Sequence, residues 1–465
     1  MQNFPAVGEQ HRLPPDATTN QTVTLPDRTL NFSATAGSIR LFNDKGEPEA
    51  DIAYTAYQLD GGDPTTRPVT FFFNGGPGAS SAWLQLGAAG PWQIVFGSEG
   101  VSPSPERKAN AETWLDFSDL VFIDPVGTGY SRFVATGEDV RKKFFSAEGD
   151  VSANAVTVRR WLEKNGRLMS PKYVVGESYG GIRGPRVVRS LQTQQGVSVK
   201  GLILVSPVLD FRDWSGSSIL QHVGRLPTMA AVAREAKGPV THKDLADVER
   251  YARGEFMLDL VKGQADVEAT NRIADKVAAL TGIDAAVTRR LAGRLSVGEF
   301  RREFDRKNGK VTGRYDASVT GLDPYPDSNY GQFGDPSGDA LMAPLTSAAV
   351  DLTTRKLNWR PDGSYQLLNG AVGSAWNFGR GQAPAEAVSE LRQSLALDPK
   401  LKLLVAHGLF DLATPYFATR IVLDQLPAYA GPDRVRFVVY PGGHMFYSRE
   451  GARKAFRGEV QSLMK

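Results

Sequence analysis

The feature that most constrains the fold of this chain is a set of six short apolar runs that alternate with helical patterns. The runs are rich in β-branched or aromatic residues and are bounded by glycine or proline. They cover residues 69–73, 120–123, 173–175, 202–205, 401–405 and 435–439. Such runs are typical of strands buried on both faces of a parallel sheet, with buried fragments of helix as the alternative. The alternation predicts an α/β fold with a mostly parallel central sheet and helices on both faces.

The regions outside these runs indicate how the chain is divided. Residues 1–20 are polar and contain proline, and we expect them to form a flexible N-terminal arm because they offer little apolar surface. Residues 38–44 and 50–62 are predicted to be antiparallel strands at the edge of the sheet. Between residues 212 and 350 the pattern is mainly helical and more charged, which predicts an insertion. The core would then consist of residues 21–211 and 351–465.

Charge and cysteine content exclude several classes of function. The 54 basic and 51 acidic residues leave a net charge of +3 without a long basic run, so no nucleic-acid partner is expected. No segment approaches the roughly 18 to 20 continuous apolar residues of a membrane span. With no cysteine, the chain has no disulfide, zinc–cysteine site or iron–sulfur cluster. The first 20 residues lack the pattern of a secretion signal, which predicts a cytoplasmic protein or an exported one whose leader has been removed.

The hexapeptide GESYGG at residues 176–181 places a serine between a predicted strand and a predicted helix. Its first five residues fit G-x-S-x-G, in which small residues allow a sharp turn that raises the serine hydroxyl above the end of the sheet. The following helix would direct its free N–H groups toward a developing oxyanion. The alternative is a plain turn without chemistry. In this context the motif predicts that Ser178 is a nucleophile.

A serine nucleophile needs a base, and the chain has only five histidines. His444 follows the last apolar run, in a glycine-rich loop, and is the predicted general base. His407 follows the preceding run, and we expect it to be structural. Asp411 lies four residues after His407, and in the simplest interpretation it caps the N-terminus of a helix. Its place between Ser178 and His444 nevertheless matches the chain order of an α/β-hydrolase triad, so it is the predicted orienting acid.

The loop after the first run, NGGPG at residues 74–78, is the candidate for an oxyanion hole. Glycines there let backbone N–H groups approach a ligand without a Cβ in the way. A donor from this loop would pair with the N–H of the residue after the nucleophile, which predicts Gly76 and Tyr179. A proline–glycine turn without a ligand is the alternative.

Four separated motifs resemble those of the serine carboxypeptidases, a family with the α/β-hydrolase fold. They are FFNGGPGASS at residues 72–81, DPVGTGYS at 124–131, GESYGG at 176–181 and GGHM at 442–445. The likeness extends over nearly the whole chain from about residue 38, and the helical insertion lies where the family carries its cap. The resemblance implies removal of the C-terminal residue from a peptide with a free C-terminus, through an acyl-enzyme and without a metal or cofactor.

The resemblance also implies how the peptide terminus is recognised. In the family, the residues that match Asn74 and Glu177 hydrogen-bond the terminal carboxylate of the substrate. Glu177 must then be protonated, because two carboxylates in contact repel and burial raises the pKa of an acid. Three positions depart from the family pattern: Ala88 replaces a partner glutamate, Phe72 a tryptophan and Ala79 a cysteine. The first departure leaves the pH optimum open.

Other functions are compatible with the same residues. An esterase or an acyltransferase uses the same kind of triad, and a binding protein with an inactive site is a remote alternative. The resemblance suggests a bacterial-type protein exported to a periplasm or to the medium, with the cytoplasm as the alternative. The sequence carries no signal for oligomeric state or for side-chain preference at the scissile bond.

Overall fold

The computed structural model describes residues 13–95, 105–212, 218–328, 334–379, 385–428, 431 and 434–465. The strands are β1 Ala17–Thr24, β2 Thr29–Phe42, β3 Pro48–Leu59, β4 Val69–Phe73, β5 Trp92–Ile94, β6 Arg107–Ala109, β7 Asp119–Ile123, β8 Arg132–Phe133, β9 Lys172–Glu177, β10 Gly201–Val205, β11 Lys310–Thr312, β12 Thr320–Leu322, β13 Lys402–Gly408 and β14 Val435–Tyr440.

The helices surround the sheet and also form the middle of the chain. They are α1 Ala82–Leu84, α2 Glu138–Phe144, α3 Ala147–Lys164, α4 Gly180–Thr193, α5 Leu220–Glu235, α6 Ala246–Tyr251, α7 Met257–Lys262, α8 Val267–Thr281, α9 Ala285–Arg290, α10 Val297–Glu303, α11 Asp339–Asp351, α12 Gly370–Ala375, α13 Val388–Leu397, α14 Tyr416–Leu423 and α15 Glu450–Met464. Short π-helical turns cover Gln85–Ala89, Ala252–Phe256 and Leu352–Lys356, and 3₁₀ turns cover His242–Leu245, Arg306–Asn308 and Phe446–Ser448. Within the described residues, no helix is both long and apolar enough to cross a bilayer.

The central sheet has the strand order β1-β2-β3-β7-β4-β9-β10-β13-β14, and β8 pairs with β3. All six predicted apolar runs lie in its strands, from β4 to β14. In this order, the neighbouring strands among β7, β4, β9, β10, β13 and β14 pair in parallel. Strands β1, β2 and β3 form an antiparallel edge, and β3 also pairs antiparallel with β7. The carboxyl ends of the parallel strands therefore meet at one edge of the sheet, where α/β proteins bind ligands.

Both faces of this sheet are buried. In β4, Phe72 packs into one apolar cluster, while Phe71 and Phe73 pack into a second one. This division follows from the alternation of side chains along a strand. The second cluster contains Trp161 of α3 and Leu191 of α4, whereas the first contains apolar side chains of α11 and α15. Helices thus cover both faces, as the alternation of apolar runs and helical patterns predicts.

Helices α5 to α10 bury a separate apolar cluster that includes Met229, Phe256 and Phe300. The cluster also contains Leu409 and Phe410, which follow β13, so these helices pack against the carboxyl edge of the sheet. A capping box joins Thr241 and Asp244 at the start of the 3₁₀ turn, and α8 ends at a left-handed Gly282. The stretch is mainly helical, as expected. That residues 212–350 form a cap insertion with these bounds stays a prediction.

The predicted N-terminal arm extends too far along the chain. Residues 1–12, which include His11, lie outside the described residues, but β1 pairs with β2 in continuous antiparallel register. Leu13 is buried, and the carboxylate of Asp16 accepts a hydrogen bond of 2.6 Å from the Tyr54 hydroxyl. Residues 13–20 offer little apolar surface, but burial of apolar surface is not the only source of stability for such a segment. An edge strand is also stabilised by its backbone hydrogen bonds, which this polar segment forms with β2.

Candidate active site

Ser178 lies directly after β9 in a left-handed conformation, with φ of 60°. This conformation is rare for a residue with a side chain and marks a tight strand-to-helix turn. Two glycines make the turn possible. A Cβ at Gly176 would come within 2.3 Å of the Gly180 carbonyl oxygen, and one at Gly181 within 2.3 Å of the Val208 carbonyl oxygen. Ser178 is therefore held at the carboxyl edge of the sheet, just before α4 begins.

Asp411 and His444 form a buried hydrogen-bonded pair beside this turn. Asp411 Oδ2 and His444 Nδ1 are 2.7 Å apart, and the two residues are 0% and 3% exposed. Asp411 Oδ1 accepts the backbone N–H groups of Ala413 (2.8 Å) and Thr414 (2.9 Å). The Thr414 hydroxyl donates to Asp411 Oδ2 at 2.6 Å. These donors stabilise the carboxylate and fix its orientation, as a triad acid requires.

The environment of His444 suits a general base. Burial lowers the pKa of the imidazole, but the Asp411 carboxylate and, to a smaller degree, Glu177 outweigh it, so the pKa lies above its usual value. Because Nδ1 faces Asp411, the neutral ring carries its proton there and leaves Nε2 as the acceptor. The backbone is fixed as well: His444 N–H donates to the Tyr315 carbonyl oxygen at 2.5 Å, and the Ser206 hydroxyl donates to the His444 carbonyl oxygen at 2.7 Å.

One cavity of about 250 Å³ brings most of the predicted site residues together. Its lining includes Asn74, Gly76, Glu177, Ser178, Tyr179 and His444. Asp411 lies behind His444 and does not line the cavity. Among the described residues, no hydrogen bond is recorded from the Ser178 hydroxyl to His444. In unliganded active sites this contact is often long and shortens when substrate binds.

The loop after β4 is packed tightly against the serine turn. A Cβ at Gly75 would lie 2.5 Å from the Tyr179 nitrogen and 2.8 Å from the Ser178 Cβ, so only glycine permits this approach. Gly76 has φ of 97°, which also favours glycine. Arg183 of α4 donates to the Asn74 carbonyl oxygen and forms a buried ion pair of 2.7 Å with Asp150. The close approach brings the backbone of both predicted oxyanion donors to one side of the cavity.

Glu177 is a buried acid next to Ser178. It is 3% exposed, and burial raises the pKa of its carboxyl to about 7, against opposing effects from His444, Tyr447 and Asn74. Asn74 Nδ2 donates to Oε2 at 3.0 Å, and the Tyr447 hydroxyl lies 3.1 Å from Oε1 and 2.9 Å from Oε2. A substantial fraction of Glu177 is therefore protonated near neutral pH, which lets it donate a hydrogen bond to an anionic ligand.

Several contributors to the site carry no recognisable sequence signal. Tyr447 follows the GGHM motif by two positions but reaches back to Glu177, which no short-range pattern indicates. Thr414 bonds to both members of the acid–histidine pair, at 2.6 Å to Asp411 and 3.1 Å to His444 Nδ1. Arg314 and Tyr315 come from the helical middle of the chain and also line the cavity. The sequence motifs indicate residues within the motifs themselves and give no indication of Tyr447, Thr414, Arg314 or Tyr315.

The remaining described histidines lie outside the cavity. His407 is 0% exposed, and burial lowers the pKa of its imidazole to about 3, so the ring stays neutral. Burial likewise lowers the pKa of His222 to about 4. His242 lies 2.9 Å from a carboxylate oxygen of Glu249. These positions are compatible with the structural role expected for His407.

Comparisons with known proteins show a likeness to the serine carboxypeptidases. The family model described as serine carboxypeptidase matches residues 27–224. The pheromone-processing carboxypeptidase KEX1 of Yarrowia lipolytica is 25% identical over 364 residues, which cover 78% of this chain and 53% of that protein. Serine carboxypeptidase-like 17 of Arabidopsis thaliana is 28% identical over 174 residues, or 36% of this chain and 38% of that protein. The chain thus spans about half or less of the length of these relatives.

The fold is also found in a solved structure. The crystal structure of a prohormone-processing carboxypeptidase from Saccharomyces cerevisiae superposes with a TM-score of 0.60 at 15% sequence identity. The superposition covers 93% of this chain and 91% of that one. At this identity the likeness supports the fold alone. Together with the family match over residues 27–224, it shows the α/β-hydrolase fold and a likeness of this chain to the serine carboxypeptidases.

Proposed function

We propose that this protein is a serine-type carboxypeptidase that releases C-terminal residues from peptides through an acyl-enzyme. In the first half-reaction, His444 Nε2 removes the proton of the Ser178 hydroxyl, and Oγ attacks the carbonyl carbon of the last peptide bond. The same imidazole then donates that proton to the leaving amino group. In the second half, water attacks the acyl-enzyme with His444 again as base, and Ser178 is regenerated.

Two further groups assist these steps. The backbone N–H groups of Gly76 and Tyr179 are the proposed donors to the oxyanion that forms on the carbonyl oxygen. Asp411 holds the imidazole in the tautomer that accepts at Nε2 and stabilises the imidazolium once it forms. The proposal is supported by the 2.7 Å contact between Asp411 and His444 and by the cavity that Ser178 and His444 share.

The observation that favours an exopeptidase is Glu177, a buried acid adjacent to the nucleophile in the same cavity. When it is protonated it can donate to the terminal carboxylate of a peptide, while the Asn74 amide supplies a second donor. Because burial raises the pKa of Glu177 to about 7, this arrangement is available at neutral pH without a second acid at position 88. An esterase acting on uncharged substrates has no use for such a pair.

The experiment that tests this proposal compares peptides that differ only at the C-terminus. Each peptide is supplied as the free acid and as the amide, and both are incubated with the protein from about pH 4 to 8 and followed by mass spectrometry. The expected result is loss of single residues from the free acids only, and no loss with Ser178→Ala. Hydrolysis of simple esters with intact peptides would contradict the proposal and favour an esterase or an acyltransferase on the same triad.

The substrate and the location of the protein are part of the proposal. A peptide with a free C-terminus is the expected partner. Export to a periplasm or to the medium is proposed from the family resemblance alone. Fractionation of the source cells, with a cytoplasmic and a periplasmic marker measured beside the protein, would decide between export and the cytoplasm.

A further inference from the structure

An arginine lines the active-site cavity from the side of the helical middle of the chain. Arg314 follows β11 and borders the same cavity as Ser178, Glu177 and His444. Its side chain is exposed, and its guanidinium lies 5.9 Å from the Tyr315 ring centre. Within the described part of the chain, no hydrogen bond or ion pair is recorded from this guanidinium. A cation whose charge is not compensated by a bonded carboxylate is available to a ligand.

Arg314 lies on the side where the leaving group must depart. His444 protonates the leaving amino group, so the residues against His444 border the pocket of the released amino acid. The Tyr315 carbonyl oxygen accepts the His444 N–H at 2.5 Å, and the two rings are 5.3 Å apart. Arg314 precedes Tyr315, and its charge lowers the pKa of His444 against the larger influence of Asp411. The guanidinium is therefore close to the histidine side of the site.

Two acids near Arg314, Asp335 and Asp339, accept hydrogen bonds from backbone or hydroxyl groups. Asp335 accepts the backbone N–H of Arg314 at 3.1 and 3.2 Å, together with the N–H and hydroxyl of Ser337. Asp339 lines the cavity, and its Oδ2 accepts the Asp335 N–H at 2.7 Å. Asp339 thus reduces the positive potential without forming an ion pair with Arg314. We call Arg314, Tyr315, Asp339 and Met342, which all line the cavity, the cap wall.

We infer that Arg314 makes the site selective for peptides whose C-terminal residue is aspartate or glutamate. The inference rests on the proposed carboxypeptidase function. Asn74 and Glu177 bind the α-carboxylate of the substrate in that proposal, so Arg314 is left for the side chain of the same residue. A guanidinium paired with a carboxylate forms charge-assisted hydrogen bonds, and Arg314 offers several donors for them.

The test measures kcat/KM for two dipeptides that are blocked at the N-terminus and free at the C-terminus. They differ only in whether the C-terminal residue is glutamate or glutamine. Wild type is expected to prefer glutamate by about fivefold, the range of a solvent-exposed ion pair. Arg314→Gln should bring this ratio close to one by slowing hydrolysis of the glutamate dipeptide. Raising the ionic strength should also weaken the wild-type preference, because exposed charges are screened. Asp339→Asn should increase the preference by removing the opposing charge.

Arg290→Gln is the matched control. It removes the same charge from an exposed position on α9, away from the cavity, and should keep the wild-type ratio. If Arg314→Gln slows both dipeptides equally, Arg314 binds the α-carboxylate or supports the fold, and the inference is wrong. A wild-type ratio near one with both dipeptides cleaved also overturns it while the proposed function stands. If neither dipeptide is cleaved although esters are, the proposed function and the inference fall together.

Discussion

The loops that follow the strands and the cap wall border the same cavity but differ in how firmly their groups are held. Asp411 and His444 in these strand-end loops, and Glu177 as the last residue of β9, are at most 3% exposed, and each has at least two hydrogen-bond partners. In the cap wall, Arg314 is exposed and Tyr315 is half-buried. The comparison suggests that chemistry common to all substrates depends on the loops, and selectivity among substrates on the cap wall.

The two regions are joined by backbone hydrogen bonds, which include one from the Leu412 N–H to the Arg314 carbonyl oxygen and one at His444. The Tyr315 carbonyl oxygen accepts the His444 N–H, and the contact requires a glycine before the histidine. A Cβ at Gly443 would lie 2.2 Å from that oxygen and 2.4 Å from the Asp316 Cβ. The middle of the chain therefore also supports His444, the proposed general base. Substitutions in the loops, at the contact between Tyr315 and His444, and around Glu177 test whether the two regions have separate roles.

The largest effect is expected for Ser178→Ala, within the strand-end loops. Removal of the nucleophile should lower kcat by about 10⁴ to 10⁶ for esters and peptides alike, because all substrates share the acyl-enzyme step. The measurement is steady-state kinetics with labelling by a fluorophosphonate. Ser80→Ala, at a buried serine of the neighbouring loop, is the control and should still be labelled. Residual peptidase activity above about one hundredth of wild type would mean that another residue carries the chemistry.

A smaller effect is expected for Gly443→Ala, at the junction of the two regions. The added methyl group must displace either the Tyr315 carbonyl oxygen or the histidine loop, so kcat should fall about 10- to 100-fold for both substrate types. The control is Gly451→Ala in α15, where an added Cβ meets nothing within 4 Å. If Gly443→Ala changes only the preference among peptides, the junction belongs functionally to the cap wall and the division needs redrawing.

The same comparison separates what sequence could predict from what it could not. The likeness to the serine carboxypeptidases and the α/β-hydrolase fold are confirmed. Both could be predicted because the motifs and apolar runs that indicate them are local in sequence. The roles of Ser178, Asp411 and His444 stay predictions, although the structure brings two of them within 2.7 Å. Arg314 and Tyr447 reach the site through long-range packing, and a single sequence taken alone carries no pattern that indicates such contacts.

The third prediction concerns the acid beside the nucleophile and uses pH to isolate it. Hydrolysis of both peptide and ester requires neutral His444, so the ratio of their kcat/KM values cancels the histidine. Peptide binding also requires protonated Glu177, whose pKa is raised to about 7 by burial. The ratio should therefore fall about tenfold from pH 6 to 8 as Glu177 loses its proton.

Glu177→Gln removes that titration and should make the ratio independent of pH over this range. Glu163→Gln, on the outer face of α3, is the control and should keep the wild-type decline. A flat wild-type ratio would mean that Glu177 does not contact the substrate carboxylate. In that case a cation of the cap wall, and not a group in the strand-end loops, would bind the substrate carboxylate. The proposed separation of roles between the two regions would then be wrong.

The smallest predicted effect comes from Tyr447→Phe and tests whether the loops tune Glu177. The Tyr447 hydroxyl donates to the Glu177 carboxylate at 2.9 Å and stabilises its anionic form. Without this donor the pKa of Glu177 should rise further, because burial is then less opposed. The peptide-to-ester ratio should decline at a higher pH, by less than about one unit, so that peptides gain a few-fold at pH 8.

Tyr440→Phe supplies the matched control for this last change, since no partner is recorded for the buried Tyr440 hydroxyl among the described residues. It should leave the pH at which the ratio declines unchanged. A decline that moves to lower pH in Tyr447→Phe would show that the phenol raises the pKa of Glu177 instead. An unchanged decline would mean that Asn74 alone supports the acid. Only a decline at higher pH would show that Tyr447 adjusts the pKa of Glu177 together with the strand-end loops. Tyr447 would then contribute to the site although it lies outside every motif in the sequence.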